Sequence, residues 1–217
     1  MPPIMRLYED VLSNAAAGPL PLPALSRMIF LVHGSATIGG RVLNEGEVWH
    51  GEDAVAVAPG PAGATWWRFE LAGEGAPDGH LAHASRPKLA ACVETLPAGE
   101  ILLRGDSVAF PPGGCAYRHC HQGPGIRCLI EGGIRIDTAG HSTSYGPGGA
   151  WYESGPEPVF AQAASDRATR FIRMMILPRA LLGKSSIQYL DPQDRDRPKS
   201  QTYKIFADAP IAFRTRP

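Results

Sequence analysis

Short runs of β-branched and aromatic residues recur along this chain, and their spacing constrains the fold more than any other feature. The clearest runs are MIFLVH (28–33), AVAVA (54–58), TWWRFEL (65–71), CAYRHCH (115–121), GIRCLIEG (125–132) and TRFIRMMIL (169–177). The 25 glycines and 21 prolines among the 217 residues follow no collagen-like period, so they mark turns between many short elements. This pattern predicts an all-β sandwich or barrel. Helix candidates are few: residues 5–13, and a short turn from Pro178 to Leu182.

A weak internal repeat divides the chain. FLVHGSATI (30–38) aligns with CLIEGGIRI (128–136), and NEGEVWH (44–50) aligns with GPGGAWY (146–152), which pairs Trp49 with Trp151. Between the two copies lies a polar stretch rich in glycine, alanine and histidine, residues 72–88, which has the composition of a linker. We therefore predict two β-units, residues 1–80 and 81–217.

Composition removes several classes of function. The 21 basic residues balance the 21 acidic residues, so the average field attracts neither nucleic acid nor anionic lipid surfaces. No apolar stretch has the roughly 18 residues of a membrane span, and the start of the sequence lacks a basic segment followed by an apolar one. Phosphate-loop, dinucleotide, serine-hydrolase and zinc-protease motifs are missing. We expect a cytoplasmic protein that binds neither nucleic acid nor membrane.

The sequence His119-Cys120-His121 offers the strongest chemical signal. On a strand, residues two apart project from the same face, about 6–7 Å apart at the backbone, and one cation can bridge them. Imidazole suits iron, nickel, copper, zinc and manganese. The alternative is a pair of surface histidines on an edge strand. Subtracting the repeat offset from the two histidines gives Pro21 and Pro23, so the first copy lacks this motif.

The order of motifs around the histidines resembles the two-motif pattern of the cupin superfamily. His119 and His121 are followed by a Glu131–Gly132 hairpin, and then by a GPGG turn (146–149) that leads into an aromatic strand. The resemblance implies a double-stranded β-helix barrel in two tandem copies with few short helices, in which the first copy is degenerate. It also implies a divalent metal ion in the interior of the second copy.

The resemblance transfers only part of the expected metal site. His119 and His121 match the two histidines of the family motif, whereas the usual glutamate falls near Gly125 and the last histidine falls near Val159. Glu153 is the natural replacement as ligand or proton carrier. Strand parity leaves open whether Glu153 or Tyr152 faces the interior, so both are candidate catalytic residues. Weaker candidates are Gln122, Tyr117 and His141.

Arg127 shares the inward face with the family's glutamate position if the strand at 125–131 alternates strictly. An arginine inside a barrel is costly without an anionic partner. It is therefore either an anchor for a carboxylate or enolate substrate, or the ion-pair partner of Glu153 or another acid.

The resemblance to cupins implies three alternative functions. The first is a non-haem iron dioxygenase that cleaves or rearranges a small oxygenated molecule, such as a carboxylate or diketone, with Fe²⁺ as the first choice of metal. The second is a redox-neutral lyase, isomerase or hydrolase that uses Zn²⁺, Ni²⁺ or Mn²⁺. The third is a non-catalytic cupin that binds or senses a small molecule. By analogy with other β-barrels, we expect a homodimer.

Overall fold

The computed structural model describes residues 2–13, 18–77, 79–81 and 84–213. Strands dominate these residues, which confirms the all-β prediction. The chain forms two compact units: one runs to Glu94 and includes the segment from Ile211, and the other spans Thr95–Pro210. In the described parts of the chain, no helix has the length and apolar character needed to span a membrane.

The first unit is one antiparallel sheet in the order β4-β3-β6-β1-β7, with β2 on β6 and β5 on β3. Its strands are β1 (Ile4–Leu12), β2 (Leu20–Leu22), β3 (Ser26–Ile38), β4 (Arg41–Asn44), β5 (Val48–Gly51), β6 (Val55–Ala72) and β7 (Ser85–Cys92). Trp66, Leu31 and Ile38 lie in its apolar core.

Two sequence expectations differ from this arrangement. Residues 5–13 were expected to be helical, but Ile4–Leu12 form β1, because this segment pairs with β6 on one side and β7 on the other. The boundary was placed after residue 80, whereas the units divide after Glu94. The pairing of β7 with β1 keeps Ser85–Cys92 in the first unit.

The second unit contains two five-stranded antiparallel sheets, ordered β13-β10-β15-β8-β17 and β12-β11-β14-β9-β16. Their strands are β8 (Ile101–Phe110), β9 (Cys115–His121), β10 (Gly125–Glu131), β11 (Ile134–Thr138), β12 (His141–Tyr145), β13 (Ala150–Glu153), β14 (Val159–Ala163), β15 (Thr169–Pro178), β16 (Ile187–Tyr189) and β17 (Thr202–Ile211). The core includes Val108, Leu129, Ile136, Trp151 and Phe171.

Helical structure is confined to the second unit among the described residues. The turn predicted after Pro178 is a 3-10 turn at Arg179–Leu181. A five-residue helix, α1 (Pro192–Asp196), begins after Asp191, whose side chain accepts a hydrogen bond from the Gln193 amide.

One glycine in each copy of the repeat bends the chain at the same place. The repeat aligns Gly34 with Gly132, and their φ angles are +80° and +83°. A Cβ at either position would lie 2.3 Å from a backbone oxygen, that of Gly63 or Ala168. Only glycine adopts this positive φ angle without strain and also leaves room for the neighbouring backbone oxygen. In the second unit this bend separates β10 from β11, which belong to different sheets.

Candidate metal and anion site

A bulge in β9 directs both histidines into the second unit. β9 pairs with β14, and the register shifts so that Val159 faces His119 while Ala161 faces Ala116. One extra residue on a strand changes which face its side chains occupy. Ala116, His119 and His121 are therefore all buried, and the two histidines are only 4% and 6% exposed.

The two imidazoles converge on one point. His119 Nε2 lies 3.2 Å from His121 Nε2, and the rings are nearly perpendicular. On the other side of each ring, His119 Nδ1 is 2.7 Å from the Tyr117 carbonyl oxygen, and His121 Nδ1 is 3.3 Å from Ser186 Oγ. A carbonyl can only accept, so neutral His119 carries its proton on Nδ1, and its Nε2 lone pair faces His121 Nε2 as an acceptor. Outer hydrogen bonds of this kind orient histidines that bind metals.

Burial keeps both imidazoles neutral. It lowers the pKa of His119, although the Glu153 carboxylate opposes the shift. Burial lowers the pKa of His121 further, and the positive charges of Arg127 and Arg173 act in the same direction. At neutral pH both rings are therefore in the form that a metal ion requires.

A cavity of about 20 Å³, measured as the space open to the centre of a water molecule, lies beside the histidines. This volume accommodates one water-sized occupant. Apolar core residues form most of its wall. The side chains with polar atoms that line it belong to His119, His121, Arg127, Trp151, Glu153, Arg173 and Tyr203.

The carboxylate of Glu153 lies inside this cavity, and three groups surround it. Trp151 Nε1 donates to Oε1 at 2.9 Å, Arg127 Nη2 lies 2.7 Å from Oε2, and His121 Nε2 lies 3.6 Å from Oε2. The arginine contact is an ion pair that lacks hydrogen-bond geometry. Tyr152 does not line the cavity, because strand alternation assigns it to the opposite face of β13. Of the two alternatives on this strand, the structure brings only Glu153 to the histidines.

Arg127 points inwards, as strict alternation in β10 predicts. It is 1% exposed, and its Nη1 donates to the Gly125 carbonyl oxygen at 2.7 Å. Burial lowers its pKa to about 10, while the carboxylate of Glu153 opposes the shift. Glu153 is the ion-pair partner of Arg127.

A second buried ion pair, which was not predicted from the sequence, lies beside the first. Arg173 Nε and Nη2 donate to the two carboxylate oxygens of Asp106 at 2.9 and 2.7 Å. Arg173 pairs with Arg127 across β15 and β10. The detectable signals were Arg173, the single charge in the apolar run FIRMMIL, and the two charges Arg104 and Asp106 in the apolar run ILLRGDSVAF. Ser186 gave no such signal, because it reaches His121 from a distant loop.

The weaker candidates lie outside the cavity. The Tyr117 ring packs beneath Arg197 and Lys199, and only its carbonyl contributes, through His119. Gln122 and His141 line separate surface pockets.

The histidine pair fits two positions around one divalent ion. Metal–nitrogen bonds of about 2.0–2.1 Å separate neighbouring nitrogen ligands by about 2.9–3.4 Å at angles from 90° to tetrahedral, a range that includes the observed 3.2 Å. A third protein ligand is not in place: within the described ranges, no three His, Cys, Asp or Glu side chains gather as a metal site. Glu153 Oε2 lies 3.6 Å from His121 Nε2 and is paired with Arg127.

Comparison with known proteins supports the predicted fold. No protein-family model matches the chain, and no curated protein sequence matches it. A salicylate 1,2-dioxygenase mutant from Pseudoaminobacter salicylatoxidans, solved in complex with gentisate, is 12% identical over 79% of this chain and 68% of its own, with a TM-score of 0.55. An oxalate decarboxylase mutant from Bacillus subtilis is 13% identical over 82% and 71% of the two chains, with a TM-score of 0.50. Both are cupin-fold proteins. The strand architecture and these similarities together show that this chain has the cupin fold, as the histidine motif and the internal repeat predicted.

Proposed function

We propose that the second unit is a metal-dependent enzyme that acts on a small oxygenated molecule. His119 and His121 hold a divalent ion, with Fe²⁺ as the first choice and dioxygenase chemistry as the expected reaction. The observation that carries the proposal is the convergence of two buried, neutral imidazoles whose Nε2 atoms lie 3.2 Å apart. The similar fold of a dioxygenase solved with gentisate supports the choice of reaction.

Arg127 and Glu153 act together in this proposal. Each is the other's ion-pair partner inside the cavity. A substrate enolate oxygen that takes the guanidinium of Arg127 would release Glu153, whose carboxylate already lies 3.6 Å from His121 Nε2. The released carboxylate would join His119 and His121 as a ligand of the ion, or would accept a proton from the substrate. The bound ion supplies Lewis acidity and, if it is iron, redox chemistry with dioxygen.

Two other functions compete with dioxygenation. A Zn²⁺, Ni²⁺ or Mn²⁺ ion on the same histidines would support redox-neutral lyase, isomerase or hydrolase chemistry. A non-catalytic binding cupin is favoured by one observation, the engagement of Glu153 with Arg127 in place of a third metal ligand.

Oxygen uptake by the reconstituted protein separates these functions. Protein loaded with Fe²⁺ is mixed with a panel of small hydroxy acids and diketones, and dioxygen and substrate are followed together. We expect uptake in step with loss of one panel member, and at least a hundredfold slower reaction in Glu153→Gln, from loss of a ligand or base. Turnover without oxygen uptake supports the redox-neutral function. Turnover that survives complete metal removal contradicts the proposal, and binding without turnover supports the binding function.

A further inference from the structure

A second pocket in the same unit adjoins the histidine cavity. It is bounded by β16, β17 and the loop before β16, and its volume is about 230 Å³ on the same measure. The pocket and the cavity share four lining residues: His121, Arg173, Ile187 and Tyr203. We call this space the outer pocket and the smaller one the inner cavity.

Size assigns different roles to the two spaces. The inner cavity, at about 20 Å³, holds an ion or a single small group. The outer pocket, at about 230 Å³, has room for the body of an organic molecule. If the body of a ligand lies in the outer pocket, only its head group can pass the shared residues and enter the inner cavity.

One wall of the outer pocket is apolar and unusually exposed. Tyr203 and Ile205 on β17 are 49% and 55% exposed and belong to the few large hydrophobic side chains left open among the described residues. Ile187 on β16 adds a third apolar side chain. Exposed apolar residues that line one concave surface are typical of a ligand site.

Charge at the outer pocket favours an anion. Arg104 is occupied by Asp208 and by two backbone carbonyls, so it has a structural role. Arg173 uses Nε and Nη2 for Asp106, which leaves Nη1 outside that ion pair. Lys184 lines the pocket and makes no ion pair with any acid in the described ranges. Asp106 and Asp208 are therefore each paired with an arginine, and the positive charge of Lys184 has no acidic partner among the described residues.

We infer that the outer pocket binds the substrate of the proposed enzyme, and that this substrate is a carboxylic acid with an apolar or aromatic body. The body packs on Ile187, Tyr203 and Ile205, and the carboxylate faces the cationic side of the pocket. This inference rests on the proposed function for the identity of the substrate, but the binding site itself does not require a metal ion.

Calorimetric titration with 4-phenylbutanoate, and with the neutral 4-phenylbutanamide, tests the inference in metal-free and metal-loaded protein. We expect Ile205→Trp, which fills the pocket, to weaken binding of the acid about tenfold. Val42→Trp is the matched control, because Val42 is a 63% exposed strand residue of the other unit, and it should leave affinity unchanged. Lys184→Gln should weaken the acid about threefold and leave the amide unchanged.

Equal binding of acid and amide, with no effect of Lys184→Gln, would contradict the anionic part of the inference. Binding that is unaffected by Ile205→Trp would contradict the outer pocket as the binding site. If neither compound binds to protein that retains its metal, the outer pocket is also contradicted, but the proposed function is not. Binding of the acid to a protein that holds no metal under any condition would leave the pocket supported and remove the proposed enzyme.

Discussion

Replacing Arg127 by methionine is expected to lower the unfolding free energy of the metal-free protein by about 3–5 kcal/mol at neutral pH. The guanidinium is 1% exposed and lies 2.7 Å from the Glu153 carboxylate, which is itself nearly buried. Methionine fills much of the same volume but leaves Glu153 as a buried charge without its cationic partner. Removing one member of a buried ion pair is costly for this reason, even where the pair itself adds little stability.

The same substitution should tighten metal binding. In the wild type, Glu153 is engaged by Arg127, whereas in Arg127→Met a divalent ion on His119 and His121 becomes its best available partner. Because binding to the folded state adds to stability, the loss of unfolding free energy should be clearly smaller with saturating metal.

Urea denaturation with and without metal, together with a metal titration, measures both effects. Arg170→Met is the matched control, because Arg170 pairs with Glu131 at the surface of the same unit, and it should change stability by less than about 1 kcal/mol. An equal loss of stability in the presence and absence of metal would show that Glu153 does not act as a ligand.

Asp10→Ala is expected to destabilise the first unit by about 3–5 kcal/mol. Asp10 is fully buried and accepts hydrogen bonds from Arg68 Nε at 2.7 Å, from Trp66 Nε1 at 2.8 Å and from the Ser85 hydroxyl. Arg68 also bonds Glu70, which pairs with Arg27, so the loss of Asp10 leaves one carboxylate for two buried guanidinium groups. All four of these charged side chains are inaccessible to water.

Hydrogen exchange of peptides from β6 reports on the first unit alone and measures this loss. Glu45→Ala removes an acid from an exposed pair with His33 in the same unit, so protection of β6 should be unchanged there. If Asp10→Ala leaves the slowest β6 amides as protected as in the wild type, the buried ion network does not hold this sheet together.

The fold could be predicted from the sequence wherever a residue type dictates local structure. Turn residues between apolar runs predicted the β class. The bend at Gly34 and Gly132 was not predicted, because the positive φ angles and the close backbone approach are seen only in the structure. The prediction of a helix at β1 was wrong, because nine residues are too few to distinguish the helical repeat of 3.6 residues from the strand repeat of two. β1 is a strand because it pairs with β6 and β7, and these partners are distant in the sequence.

For the candidate site, the sequence predicted which strand face each residue occupies but not the contacts between distant segments. His119 and His121 lie on one face as their spacing required, and Arg127 faces inwards as alternation in β10 required. The bulge in β9, which brings Ala116 to the same face as the histidines, has no signature in the residues around it. The contacts of Ser186 with His121 and of Asp106 with Arg173 join segments distant in the chain, so only the folded structure reveals them.

Elemental analysis of anaerobically purified, reconstituted protein tests the central claim most directly. The wild type and the exposed-histidine control His141→Ala should each retain about one divalent ion per chain, whereas His119→Ala and His121→Ala should each lose it, because neither imidazole alone holds the ion. A wild type that stays free of metal after reconstitution, or equal metal in all four proteins, would contradict a metal site on these histidines.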